Sequence, residues 1–145
     1  MNINEIKKHL YNDNIDNAIN YVKQITDEET LYVYANNYNW DNGFSIPTAI
    51  LDNKSCSLSV ALLIFHLADG LTYIEKKVTN PNLPEWSHFI GSLYERIVSN
   101  EFSTGKVSFA PELSKVQLFK IKKLLNESEQ IFVNDIIGSD CNILL

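Results

Sequence analysis

Apolar residues recur along much of this chain at spacings of three and four, the period of a helix with one face turned inward. Ile3, Ile6 and Leu10 make one such stripe, and Ile15, Ala18, Ile19 and Val22 make a second. The residues between them, YNDN (11–14), suit a turn and a cap, so the chain is expected to open with a helical hairpin. A third helix is expected after TDEE (26–29): Thr26 can cap it, the acids favour the positive end of its dipole, and Leu31, Tyr34, Ala35 and Tyr38 form its stripe.

Pro47 has no amide hydrogen and is tolerated best in a first turn, which places the start of the IPTAILDN helix near Phe44 or Ser45. Ser57 is a good cap for the next helix, and Gly70 is expected to stop it in the left-handed conformation. The span between, 58–69, is apolar on all sides. A helix with no polar face must be enclosed by others, so this one is expected at the centre of the fold. LTYIEKKV (71–78) predicts a short helix, broken by TNPNLP (79–84). Trp86, Phe89, Ile90, Leu93, Tyr94, Ile97 and Val98 then give the cleanest stripe in the chain. A short extended piece is expected around KVSF (106–109) and a further helix in 114–127. The segment 128–145 reads as either a final helix or a loose, irregular tail. The expected fold is all-α: a single domain, 1–145, of about six to eight short helices in antiparallel hairpins around one central apolar helix.

Composition narrows the function classes. Apolar residues are 45% and charged residues 21% of the 145, as in an ordinary globular protein. The longest apolar run, LSVALLIFHLA (58–68), is well short of the roughly 20 residues that span a bilayer. The N-terminus has no secretion-signal core, so a cytoplasmic setting without membrane contact is expected. The net charge of −6 opposes binding to a nucleic-acid backbone and is compatible with a basic protein partner. Cys56 and Cys141 are the only cysteines, without metal spacing, and read as free thiols.

The stretch NYNWDNG (37–43) is the sharpest candidate for chemistry. As a calcium loop begun at Asn37 it puts Asn39 and Asp41 at the third and fifth positions. Asn42 then stands where glycine is required and Thr48 where the closing acid is required. Asn, Asp and Gly are the residues of tight corners, so the stretch is expected to join two helices, with Trp40 as its apolar plug. His66 and Asp69 lie three apart on one helix, and with His88 they would make an incomplete ligand set for an enzyme or a ligand-binding protein; a core histidine with one hydrogen bond is the plainer reading. His9 sits on an exposed-looking helix without a partner. Nucleophile, phosphate-loop and dinucleotide motifs are absent, and no catalytic residue, metal or cofactor is expected. Lys115, Lys120, Lys122 and Lys123 make one local basic helix. The acids Asp13, Asp16, Asp27, Glu28 and Glu29 crowd the N-terminal part, as a solvated face or a docking surface for a basic partner.

YANNYNWDNGFSIPTAILDNKSCSLSVALLIFHLADG (34–70) resembles a bacterial family known as domain of unknown function 4274. Its members carry a similar N-W-D-x-G corner, an approach ending in Cys, and an A-L-x-x-F-x-x-A-D-G helix end. Asn39, Trp40, Asp41 and Gly43 match the corner; Cys56, Ala61, Leu62, Phe65, Ala68, Asp69 and Gly70 match the central helix. RIVSNEF and VSFAPE match the later half more loosely. The resemblance implies a small helical protein similar in size and setting to the immunity proteins that accompany polymorphic or contact-dependent toxins. On that reading the chain is an antitoxin covering a basic toxin domain, such as a nuclease, with Asp13, Asp16, Asp27, Glu28, Glu29, Trp40 and Asp41 as candidate contacts. The alternatives are a small enzyme or ligand-binding protein using His66, Asp69 and His88, or a helical adaptor.

Overall fold

The computed structural model describes residues 1–11, 14–76 and 82–145. It is all-helical, with α1 (Ile3–Tyr11), α2 (Ile15–Gln24), α3 (Glu28–Asn36), α4 (Ser45–Asp52), α5 (Leu58–Leu67), α6 (Gly70–Lys76), α7 (Pro84–Val98) and α8 (Lys115–Leu124). Short 3-10 turns occupy Trp40–Asn42 and Ser128–Phe132. The 11–14 turn, the end of the 71–78 helix and the 79–84 break fall partly outside the described residues, as does Asp13 entirely.

Helix α5 is the centre, as its lack of a polar face requires. Ser59 through Phe65 are buried without interruption, and α3, α4, α6 and α7 all pack on it. The one polar side chain in that run, Ser59, donates its hydroxyl to the Val107 carbonyl at 2.7 Å, so it is satisfied by the chain that crosses it. Helix α2 lies on α4, and α1 bridges α2 and α3. Helix α3 differs from the expected one-sided stripe, because Thr30 through Ala35 are all buried. It is enclosed by α1, α4 and α5, and the C-terminal segment adds Asn142, whose side chain accepts from the Tyr32 hydroxyl at 3.0 Å.

Local chemistry sets the helix starts. Asn14 caps α2, accepting from the Asn17 amide at 2.9 Å. Asp27, not Thr26, caps α3: its carboxylate accepts from both the amide (2.8 Å) and the hydroxyl (2.7 Å) of Thr30. Ser57 caps α5, and Ser114 with Gln117 forms a reciprocal capping box at α8. The α5 stop is also displaced from expectation. Asp69 takes the left-handed conformation (φ 62°), while Gly70 opens α6. Gly70 is required for space, because a Cβ there would run into the Phe65 ring.

The segment 128–145 is irregular after its 3-10 turn, yet it is held rather than loose. Phe132, Val133 and Cys141 are buried. Ser139 and Ile136 form isolated bridges to Val107 and Phe109, the extended piece expected around 106–109. The Asn37 side chain donates to the Ile143 carbonyl (2.8 Å) and accepts from the Leu145 amide (2.9 Å).

Candidate functional site: a carboxylate face and an apolar groove

The NYNWDNG corner turns α3 into α4. Asn39 accepts from the Asp41 amide at 3.1 Å, Gly43 takes a positive φ of 86°, and the Tyr38 hydroxyl donates to the Gly43 carbonyl at 2.8 Å. Burial pushes the Tyr38 phenol up to about 12, so it stays a donor. Trp40 is half-buried, with its ring edge-on to Tyr38, Phe44 and Phe89 at centroid distances of 5.4, 6.1 and 6.2 Å. Its indole nitrogen is buried without a hydrogen-bond partner. Asp41 is exposed on the outside of the turn.

Of the other acids expected at an interface, Asp16 and Asp27 are exposed, and Glu28 and Glu29 are half-buried. Glu28 is partly structural: one carboxylate oxygen accepts from the Lys106 amide, and the other is buried. The fold adds acids that sequence spacing does not reveal. Glu5 of α1 and Asp27 both act on Tyr21, whose phenol burial raises first and most, to about 12. Asp140 and Glu112 act on Tyr32 after burial, which raises it to about 12. The Cys141 thiol is raised by burial and then by Glu29, Asp140, Glu28 and Asp27 together. Through the Glu28–Lys106 bond and the Ser139 amide, which donates to the Lys106 carbonyl, the start of α3 lies beside Asp140 of the C-terminal segment. Two depressions share Thr26 and Asp27, one holding Glu5 and the other Glu28 and Glu29 together with Lys54 and Lys106. Glu5, Glu112 and Asp140 stand alone in their sequence neighbourhoods, so only tertiary structure brings them in.

A third concavity, a groove of about 690 Å³, runs between α2, α4 and α7. Ile19, Phe44, Ala49, Phe89 and Leu93 make its apolar floor, and Lys23, Glu85 and His88 stand on its rim. Arg96 closes one end, donating to Asp52 at 2.9 Å, to the Leu51 carbonyl at 3.1 Å and to Glu101. The rim carries both signs of charge.

His66, Asp69 and His88 have different neighbourhoods. His66 Nε2 donates to the Phe132 carbonyl at 2.7 Å, with its ring beside Phe65 and Phe109. Burial lowers its pKa, opposed by that bond. Asp69 sits exposed at the α5–α6 junction and accepts from the Thr72 hydroxyl at 2.8 Å. His88 is exposed on the groove rim. Among the described residues no three His, Cys, Asp or Glu side chains are grouped to hold a metal ion. His9, expected without a partner, stacks on Tyr21 at 4.0 Å and 12° between planes. Cys56 and Cys141 are free and buried; burial pushes the Cys56 thiol to about 12, far from reactive thiolate.

No single helix among the described residues is long and apolar enough to cross a membrane. The bent pair α5–α6 passes by length and composition only, at an angle of 74°, and α5 is the core helix.

A small all-helical bundle wound around one buried helix, with a capped Asn-Trp-Asp corner leading into it, is the class that fold and corner define. Within that class the chain belongs to the family described as Domain of unknown function (DUF4274), whose pattern residues 26–98 match. That match runs from the residue before the α3 cap to the last residue of α7. No curated protein and no solved structure matches the chain.

Proposed function

We propose that this protein is an immunity protein: it binds a cognate toxin domain in the cytoplasm of the producing cell and neutralises it by covering its active site, with no chemistry of its own. The observation that carries this reading is the clustering of Glu5, Asp27, Glu28, Glu29 and Asp140 around the start of α3. Toxins that act on nucleic acid need positive surface to hold phosphate, and a carboxylate face meets that surface directly. Opposed fields raise the association rate and penalise wrong partners, as an inhibitor that must act before damage requires.

The test is capture by tagged protein from the source bacterium, with elution across a salt gradient and mass-spectrometric identification of bound chains. One basic, toxin-like domain should be recovered in stoichiometric amount and released by salt. Glu5→Lys with Glu29→Lys should lose most of the capture, since neither side chain is a helix cap or a buried bond partner. Recovery of nothing from cells shown to express a neighbouring toxin gene would overturn the reading.

A further inference from the structure

Helix α8 turns apolar side chains to solvent as well as to the core. Its inner stripe, Leu118, Ile121 and the following Leu125, attaches it to the body. Its outer face is not purely polar. Val116, Phe119, Lys120 and Lys123 follow the i, i+3, i+4, i+7 spacing of one face. Val116 and Phe119 are each 62% exposed and Leu124 is 58% exposed. The Lys123 ammonium lies 4.3 Å from the Phe119 ring centroid, and Lys115 and Lys122 stand four residues before and three after Phe119 on the same helix. The helix contains no acid, and no ion pair ties any of its four lysines to another described residue. A phenylalanine this exposed among unpaired lysines is a surface that loses apolar area and gains charge partners when something acidic covers it.

We propose that α8 is a self-association surface, covered by the carboxylate face of a second copy of this chain. The complement is present in the same molecule. Glu28 accepts from the Lys106 amide, the Lys106 carbonyl accepts from the Ser139 amide next to Asp140, and the chain then runs from Lys106 through Glu112, three residues before Lys115, into α8. The acidic face therefore runs up to the N-terminal end of α8. Two adjoining patches of opposite sign are self-complementary under a two-fold rotation about their boundary, which sets each α8 against the other copy's acids. An anionic bilayer fits worse, because the same adjoining carboxylates would be pressed against it. The net charge of −6 opposes pairing at long range, so the contact works at salt concentrations that screen whole molecules but not facing patches. Near 0.1 M the screening length is about 10 Å, and near 1 M about 3 Å. The pairing does not rest on the toxin-binding reading. It competes with it, since a basic partner and a second copy would claim the same acids.

Sedimentation equilibrium across a concentration series at about 0.1 M salt tests the proposal. The wild-type chain should move from monomer to dimer mass. Lys120→Glu with Lys123→Glu should stay monomeric, as should Glu29→Lys with Glu112→Lys. Mixed in equal amounts, the two variants should restore the dimer mass, because each reversed patch then meets its opposite. Phe119→Ser should weaken pairing by about tenfold or more while helical circular dichroism is unchanged. If a charge-reversed variant loses its helical signal, Phe119→Ser and Lys123→Gln carry the test. A wild-type chain that is monomeric throughout overturns the proposal, whether or not it sediments with anionic vesicles. So does a dimer that ignores the reversals, or a mixture that does not recover it. Toxin capture is read separately, so failure of one reading leaves the other standing.

Discussion

Asp69 and Gly70 exchange the roles that their residue types suggest. Glycine is the default for a left-handed helix stop, and aspartate is among the few other residues that tolerate it, so the dipeptide alone does not say which one turns. The deciding contact is the Phe65 ring, one helical turn back, which leaves no room for a Cβ on Gly70. Gly70→Ala is therefore expected to cost about 1–3 kcal/mol by overpacking, and Asp69→Gly to be near neutral; urea midpoints of the two variants check both. His66 is the other residue whose role is set by burial. Its ordinary pKa of 6.5 is lowered in the fold, so the unfolded chain takes up the proton first as pH falls. The stability that depends on neutral His66 is thus full above that value and declines as pH drops below it. The urea midpoint should fall between about pH 7 and pH 5, and His66→Gln, which keeps an N–H donor but does not titrate, should flatten that part of the slope. An unchanged slope in the variant would assign the acid sensitivity to other groups.

At the scale of elements, legibility followed periodicity. Helix α5 could be placed at the centre because an all-apolar helix has nowhere else to go, and α7 could be recognised because its stripe runs unbroken through a fifteen-residue helix. The N-terminal hairpin and the Ser57 cap were readable for the same local reasons. The C-terminal segment was not, because its anchors follow no period. Phe132 is held between Phe65 at 4.4 Å and Tyr94 at 5.3 Å, and the Tyr94 hydroxyl donates to buried Glu129 at 2.6 Å. Those partners lie 35 or more residues away in sequence, beyond any window in which spacing carries information. The carboxylate face was half legible on the same principle: Asp27, Glu28 and Glu29 form a run, while Glu5, Glu112 and Asp140 are isolated until the chain folds. If the segment is a strap on the core rather than a tail beside it, Phe132→Ala should remove about 3–5 kcal/mol, as a fully buried aromatic does. A loss below about 1 kcal/mol in denaturant unfolding would instead mark 128–145 as an accessory.

At the scale of the whole molecule, the family match and the core do not share boundaries. Residues 26–98 hold the central helix and its nearest neighbours, but α4 packs on α2, which precedes the match. Ile6, Ala18 and Val22 come from before it, and Phe102, Val107, Phe109, Phe132 and Val133 from after it; all are buried. Cut at those boundaries, the fragment would expose the faces of α3, α4 and α5 that α1, α2 and the C-terminal segment now cover. Apolar burial is the main stabilising term, and the smaller the domain the less of it remains to offset chain entropy. The full chain should therefore unfold in one cooperative transition, with fluorescence and circular dichroism coinciding. The 26–98 fragment should retain helical signal, bind a hydrophobic dye and lose its cooperative transition. A fragment that melts cooperatively near the midpoint of the full chain would show that the family core folds alone. The flanks would then be additions that carry surface, including part of the carboxylate face and all of α8, without carrying the fold.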